Sequence, residues 1–219
     1  MKKFVCTLAL LFAGSANAGI ITVGGSSLTG ADQVFGFEAG KAAYSWEVLN
    51  TQFVGEGLTV SSNIDNSILL YGAGACLPGS FSYSGSNYIG VGIYDNCYVD
   101  QGQTTATFTF DDVVSEASFD WYAHGANYTF TIQALLNDVV VSSAGIAGNG
   151  STVNISLAGS DFDQIRFIES SLQSWFWMDQ LAVNYAEVSG SVPASAPATL
   201  ALFGLGLAGI GFSRKKKAA

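Results

Sequence analysis

Between residues 19 and 190, apolar and polar positions alternate in short runs bounded by Gly, Asn, Asp and Ser. A period of two sends successive side chains to opposite faces, which is the signature of a half-buried strand. Thr105-Ala106-Thr107-Phe108-Thr109-Phe110 is one such run, and in 118–122 Phe119 and Trp121 share a face. Tyr128, Phe130, Ile132 and Ala134 alternate with Thr129, Thr131 and Gln133. Further strands are predicted at 139–142, 153–157, 164–168 and 180–186, and in the first half near 34–37, 57–61, 68–71 and 88–94. Asn137-Asp138 and Asn149-Gly150 stand where hairpin turns are wanted. No long run has helical spacing, and neither a linker nor a repeat interrupts the pattern. The expectation is one all-β domain, residues 19–190, built as a two-sheet antiparallel sandwich.

The two ends follow a different pattern. Lys2 and Lys3 precede a short apolar run from Phe4 to Ala13, and Ala16-Asn17-Ala18 offers a small-x-small cleavage site. Residues 1–18 therefore read as a secretory signal peptide, with Gly19 as the first residue left after its removal. At the other end, residues 191–197 form a small, Pro-containing spacer and motif that includes Pro193, Ser195, Ala196 and Pro197. Residues 198–213 are apolar, and 214–219 open with Arg214, Lys215, Lys216 and Lys217. A helix over 198–213 spans about 24 Å, a little less than a hydrocarbon core of about 30 Å. The basic cluster beyond it favours a cytoplasmic end. Gly204, Gly206, Gly209 and Gly211 make this single transmembrane helix slim and weak, suited to a temporary stop.

That order, a Pro-containing motif, a Gly-rich apolar helix and a basic cluster, resembles the PEP-CTERM sorting signal of Gram-negative bacteria. The resemblance implies an exosortase-type membrane enzyme as partner, cleavage of the tail, and delivery of the body to the cell surface or beyond. One departure stands out: Ser195-Ala196-Pro197 occupies the place of Pro-Glu-Pro, so the glutamate is missing, which points to a variant exosortase. Within the body, Phe37-Glu38 and the run from Phe176 to Val183 resemble the jelly-roll sandwiches of carbohydrate-binding modules. That second resemblance implies a structural calcium between the first and last strands, held by Glu38 and Asp179.

Charge sharpens the division. Only 11% of residues are charged, against about 25% in an ordinary soluble domain. Six of the eight bases lie in the two ends; Lys41 and Arg166 alone face seventeen acids, so the middle of the chain carries −15. Such a body repels phosphate backbones, which excludes nucleic acid as a partner. A hydrophobic content of 49% opposes disorder, and a single histidine excludes His-rich metal sites. Cys6 belongs to the signal peptide, leaving Cys76 and Cys97 as one expected disulfide of an exported domain. Closing a loop of about 20 residues stabilises a fold by roughly 3 kcal/mol. The remaining paired acids, Asp111-Asp112 and Asp161-Phe162-Asp163, read as turn residues.

Catalytic chemistry finds little support in these residues. His124 has no serine in a nucleophile-elbow setting, and His124-Gly125-Ala126-Asn127 reads as a turn. A glycosidase needs two carboxylates across a cleft; Glu116 with Asp120, or Glu47 with Glu56, are the pairs on offer. Trp175 and Trp177 flank Phe176 and should share the face opposite Phe176 and Met178. If solvent meets that face, the two indoles form a platform for sugar rings, while Trp46 and Trp121 belong to the core. The expectation is an exported, non-catalytic surface or matrix protein for adhesion or extracellular-polysaccharide association. The alternatives are a secreted glycan-active enzyme or lectin-like module, and a permanently anchored periplasmic domain.

Overall fold

The computed structural model describes residues 19–37, 46–49, 53–65, 67–72, 87–94, 98–99, 103–123, 128–170 and 175–187. The leader, residues 191–219 with Pro193, Ser195, Ala196 and Pro197, and Glu38, Cys76, Cys97 and His124 all lie outside the described residues. Among those described, no helix is long and apolar enough to cross a membrane. The chain divides into a unit of residues 1–186, which holds every strand among the described residues, and a second unit of residues 187–219.

The strands are β1 (Ile20–Val23), β2 (Gln33–Phe35), β3 (Trp46–Val48), β4 (Leu58–Ser62), β5 (Ile68–Gly72), β6 (Asn87–Val91), β7 (Ile93–Tyr94), β8 (Tyr98–Val99), β9 (Thr105–Tyr122), β10 (Thr129–Leu136), β11 (Val139–Ala147), β12 (Val153–Ala158), β13 (Phe162–Glu169) and β14 (Phe176–Tyr185). Every pairing among them is antiparallel. Among the described residues, β7 pairs with β8, and the other strands form one continuous ladder.

That ladder folds into two layers because β9 belongs to both. Its first half pairs with β4 and β13, giving a layer β11-β10-β13-β9-β4. Its second half pairs with β12 and β14, giving a layer β1-β12-β9-β14-β6-β5-β3, with β2 beside the far end of β14. The sequence suggested two strands separated by a turn at Asp111-Asp112. Instead the strand runs through, and Asp111, Asp112 and Val113 form its exposed corner. Before the corner Ala106, Phe108 and Phe110 face inward; after it Ala117, Phe119 and Trp121 do. The inward set thus changes from even to odd numbers, and the ladder to β14 shifts register at Ser115 to permit it. One inserted residue is what a period of two requires to turn a corner and keep its apolar face on the core.

The rings of that core interlock across the layers. Phe167 of β13 meets Phe108 and Phe119 of β9 edge to face, each at 5.5 Å. Phe176 of β14 packs 5.1 Å from Phe130 and 4.9 Å from Phe167, and Trp121 meets Phe130 at 5.9 Å. Each such ring contributes roughly 1.5–3 kcal/mol by leaving water.

Of the two expected hairpin turns, one forms. Asn137 and Asp138 take φ of 51° and 64°, the paired positive angles of a type I′ turn joining β10 to β11. The Asp163 carboxylate steadies it by accepting from the Asn137 N–H at 3.0 Å. Asn149-Gly150 is a turn but not a hairpin. β11 pairs with β10 and β12 with β1 and β9, so this segment carries the chain from one layer to the other. Gly150 donates to the Ala123 carbonyl at 3.1 Å there, and Asn149 caps the turn by accepting from Ser151 N–H at 2.9 Å.

Candidate functional site

The chemistry-bearing side chains gather on the outer face of the second layer, the side of β9, β14, β6 and β5 turned away from the core. Phe176 and Met178 point into the core, so Trp177 and Asp179 point outward from it, as the alternation predicts. Trp177 lies opposite Tyr122 on β9 and Gly90 on β6 in the ladder. Tyr71 and Tyr88 stack at 5.6 Å and 16° between ring planes on the neighbouring strands.

This face is not open to solvent. Leu69, Tyr71, Tyr88, Tyr122, Trp177 and Asp179 are all 4% exposed or less, although none of them joins the central core. The expected platform of two solvent-facing indoles therefore does not form. Trp177 is buried, and Trp175 meets it at 3.9 Å and 80°, edge to face. A perpendicular pair cannot present two parallel ring faces. The aromatic string continues instead from Tyr122 to Trp177 at 5.7 Å, to Trp175, and then to Tyr128 at 5.6 Å. Its last members, Trp175 and Tyr128, are half-buried, and Tyr128 also packs against the central core.

Sequence reasoning missed Tyr122 and Tyr128 as partners of the tryptophans. The signal was present for Tyr122, which follows inward-facing Trp121 and so must point to the opposite face. Tyr128 showed only as a member of the Phe130 and Ile132 face, and it packs in part against the core.

Asp179 sits at a distortion of β14. Gln180 takes φ of 52° and the ladder to β9 shifts register beyond Asp179. Asp179 is fully buried and directly opposite Asp120, whose carboxylate accepts from Asn154 Nδ2 at 3.1 Å. Like charges directly opposite across a ladder are destabilising. β2 runs towards this spot, pairing Phe35 with Leu181, and buried Phe37 follows it with φ of 55°. Among the described residues, no three His, Cys, Asp or Glu side chains are grouped to hold a metal ion.

The acids offered as a glycosidase pair do not face one another across a cleft. Glu116 and Asp120 stand on one strand about 13 Å apart along its axis, against roughly 5–9.5 Å between the carboxyls of glycosidases. Each is engaged separately, Glu116 by Asn184 Nδ2 at 3.0 Å and Asp120 by Asn154. Glu56 lends its backbone carbonyl to Gln33 Nε2 at 2.8 Å, and the Glu47 side chain is outside the described set.

Two further features complete the surface. An open groove of about 570 Å³ is lined by Ser115, Glu116, Leu136, Val141, Ser160 and Asp161, with no aromatic ring among its described walls. At the β9 corner, Tyr185 donates its hydroxyl to Gln33 Oε1 and its backbone N–H to Asp32 at 2.9 Å. Burial first, and then the negative charges of Asp112, Asp111 and Asp32, raise its phenol above the ordinary value of 10.0.

Fold and surface together describe an antiparallel β-sandwich whose second layer is buried on both faces at β5, β6 and the start of β14, with a half-buried aromatic end. Beyond the body, residues 193–215 match the PEP-CTERM protein-sorting motif. This is the export and sorting signal that the C-terminal pattern suggested: the protein is exported, passes through a membrane stage, and belongs at the cell surface or outside the cell. No curated protein matches the chain. Among solved structures, the K2 cleaved adhesin domain of Lys-gingipain is similar at 9% identity and a TM-score of 0.48, over 69% of this chain and 98% of that one. TmCBM61, solved with β-1,4-galactotriose, gives 10% and 0.40 over 64% and 98%. A family 11 carbohydrate-binding module of a Clostridium thermocellum cellulase gives 14% and 0.34 over 66% and 97%.

Proposed function

We propose that the exported body is a non-catalytic carbohydrate-associating module, delivered by its C-terminal signal to serve adhesion or matrix binding. The observation that carries this reading is the aromatic string ending in half-buried Trp175 and Tyr128. Rings fixed from behind, as Trp175 is by buried Trp177, lose little freedom when a pyranose stacks on them. A glycan array, followed by pull-down with the polysaccharide it selects, tests the reading. Retention is expected for the wild type; no glycan retained under any condition contradicts it.

Delivery follows from the tail. An exosortase-type enzyme cleaves near Pro197, tolerating Ser195-Ala196-Pro197 in place of Pro-Glu-Pro. Mass spectrometry of the surface-exposed form checks this, and an intact 214–219 tail on that form counts against cleavage. Two staples serve the body. Cys76 and Cys97 form a disulfide, which native alkylation tests by finding no free thiol. A structural Ca²⁺ held by Asp179 and Glu38 ties the first strand to the last. Its expected mark is a melting temperature higher in millimolar calcium than in chelator, and equal values remove the ion from this reading.

A further inference from the structure

The acids of this body are unevenly placed. Residues 19–31 carry no charge, and residues 128–160 carry only Asp138. These segments build β1, β10, β11 and β12, which meet along one flank of the sandwich. There β1 is the edge of one layer and β11 the edge of the other, and Ser142 of β11 donates its hydroxyl to the Gly19 carbonyl at 2.7 Å. Four of the seven large apolar side chains exposed among the described residues lie on these two edges: Ile20 and Val23 on β1, Val139 and Val140 on β11. By contrast, the β2–β4–β9 corner carries Asp32, Glu56, Asp111 and Asp112.

β11 is nine residues long and reads Val-Val-Val-Ser-Ser-Ala-Gly-Ile-Ala, without charge or proline. Natural edge strands are blunted by lysine, proline, inward charges or covering segments, because free N–H and C=O groups otherwise template another strand. β11 carries none of the first three. We infer that this neutral flank is a homotypic assembly surface, on which β11 of one copy pairs antiparallel with β11 of a second. The occupant follows from charge. A body of −15 repels its own copies over most of its surface, and this flank lets two of them approach without bringing carboxylates together. Antiparallel pairing of identical strands also satisfies two-fold symmetry, with each residue set meeting its own counterpart.

The test uses the full chain in mild non-ionic detergent, its mass followed against concentration by sedimentation equilibrium. Gly145→Lys is the chosen variant, since a Cβ at Gly145 meets nothing within 4 Å and the fold tolerates it. A lysine on the pairing edge is what blunts natural edge strands, and it should weaken association roughly tenfold or more. Val34→Lys, exposed on β2 away from the flank, is the control and should leave association unchanged. Raising salt should strengthen wild-type association by screening the acidic bodies. A wild type that stays monomeric, or a Gly145→Lys variant that associates as well as wild type, overturns the inference. Loss of association in Val34→Lys equal to that in Gly145→Lys overturns it as well.

Discussion

The two layers of the sandwich bury their strands differently. In β10 and β13, of the first layer, inward Phe130, Ile132, Ile165 and Phe167 alternate with partly exposed Thr131, Gln133, Gln164 and Arg166. In the second, every residue of Asn87–Val91 is buried, and so is every residue from Phe176 to Asp179. These first-layer strands have a core side and a water side; the stretch of the second layer at β5, β6 and the start of β14 has a core side and a second, aromatic one. Recognition chemistry is best supported where the layer is buried on both sides. A ring resting on a buried aromatic face is held in place, whereas one on a water-washed face must be ordered when ligand arrives.

The sharpest way to break this contrast is to remove one ring from each side of the second layer. Trp121→Ala, in the core, should cost about 3–5 kcal/mol in urea unfolding. Trp177→Ala, on the other face, should cost about 3 kcal/mol or more, because its indole is equally enclosed. A loss under about 1 kcal/mol at Trp177 would return that face to the surface class. Gln133→Ala, outward on the first layer, should stay within about 0.5 kcal/mol.

A smaller effect probes how the outer face is held. Ser118, buried on β9, accepts from the Leu28 N–H at 2.8 Å and so ties the chain after β1 to that face. Ser118→Ala leaves that N–H without its acceptor and should cost about 1–2 kcal/mol. Amide exchange at Leu28 should quicken in step.

The smallest effect is at the acidic corner. The Tyr185 phenol is raised in the folded state, so folding favours its protonated form. Its stabilising contribution is complete below the unfolded value near 10 and is lost as pH climbs from there through the folded value. Melting temperatures taken between pH 9 and 12 should fall less steeply in Tyr185→Phe than in wild type.

How much of this was legible in the sequence follows from the same contrast. Strands of the first layer announced themselves, since alternation such as Thr129 to Ala134 needs one wet face to be visible. In the second layer the signal fades: Ile68-Leu69-Leu70-Tyr71 and Phe176-Trp177-Met178 are apolar at every position, so period two disappears. That is why alternation alone places this strand from residue 180, whereas β14 begins at Phe176. β1, β3 and β8, with four residues or fewer, gave too little pattern to register. The even-to-odd change at Ser115 was hidden as well, because a bulge depends on the corner that β9 must turn. Of the site, the face of Trp175 and Trp177 was readable from Phe176 and Met178. Its burial was not, since a strand's alternation says which side a ring takes and nothing about what lies over it.

The most direct measurement is the affinity of Trp175→Ala, beside wild type, for the polysaccharide selected on the array. If half-buried Trp175 is the contact and Trp177 its support, Trp175→Ala should lose roughly thirtyfold in binding, about 2 kcal/mol. Its urea midpoint should shift far less than that of Trp177→Ala. Equal binding by Trp175→Ala and wild type would contradict the aromatic end as the place where this protein meets its ligand.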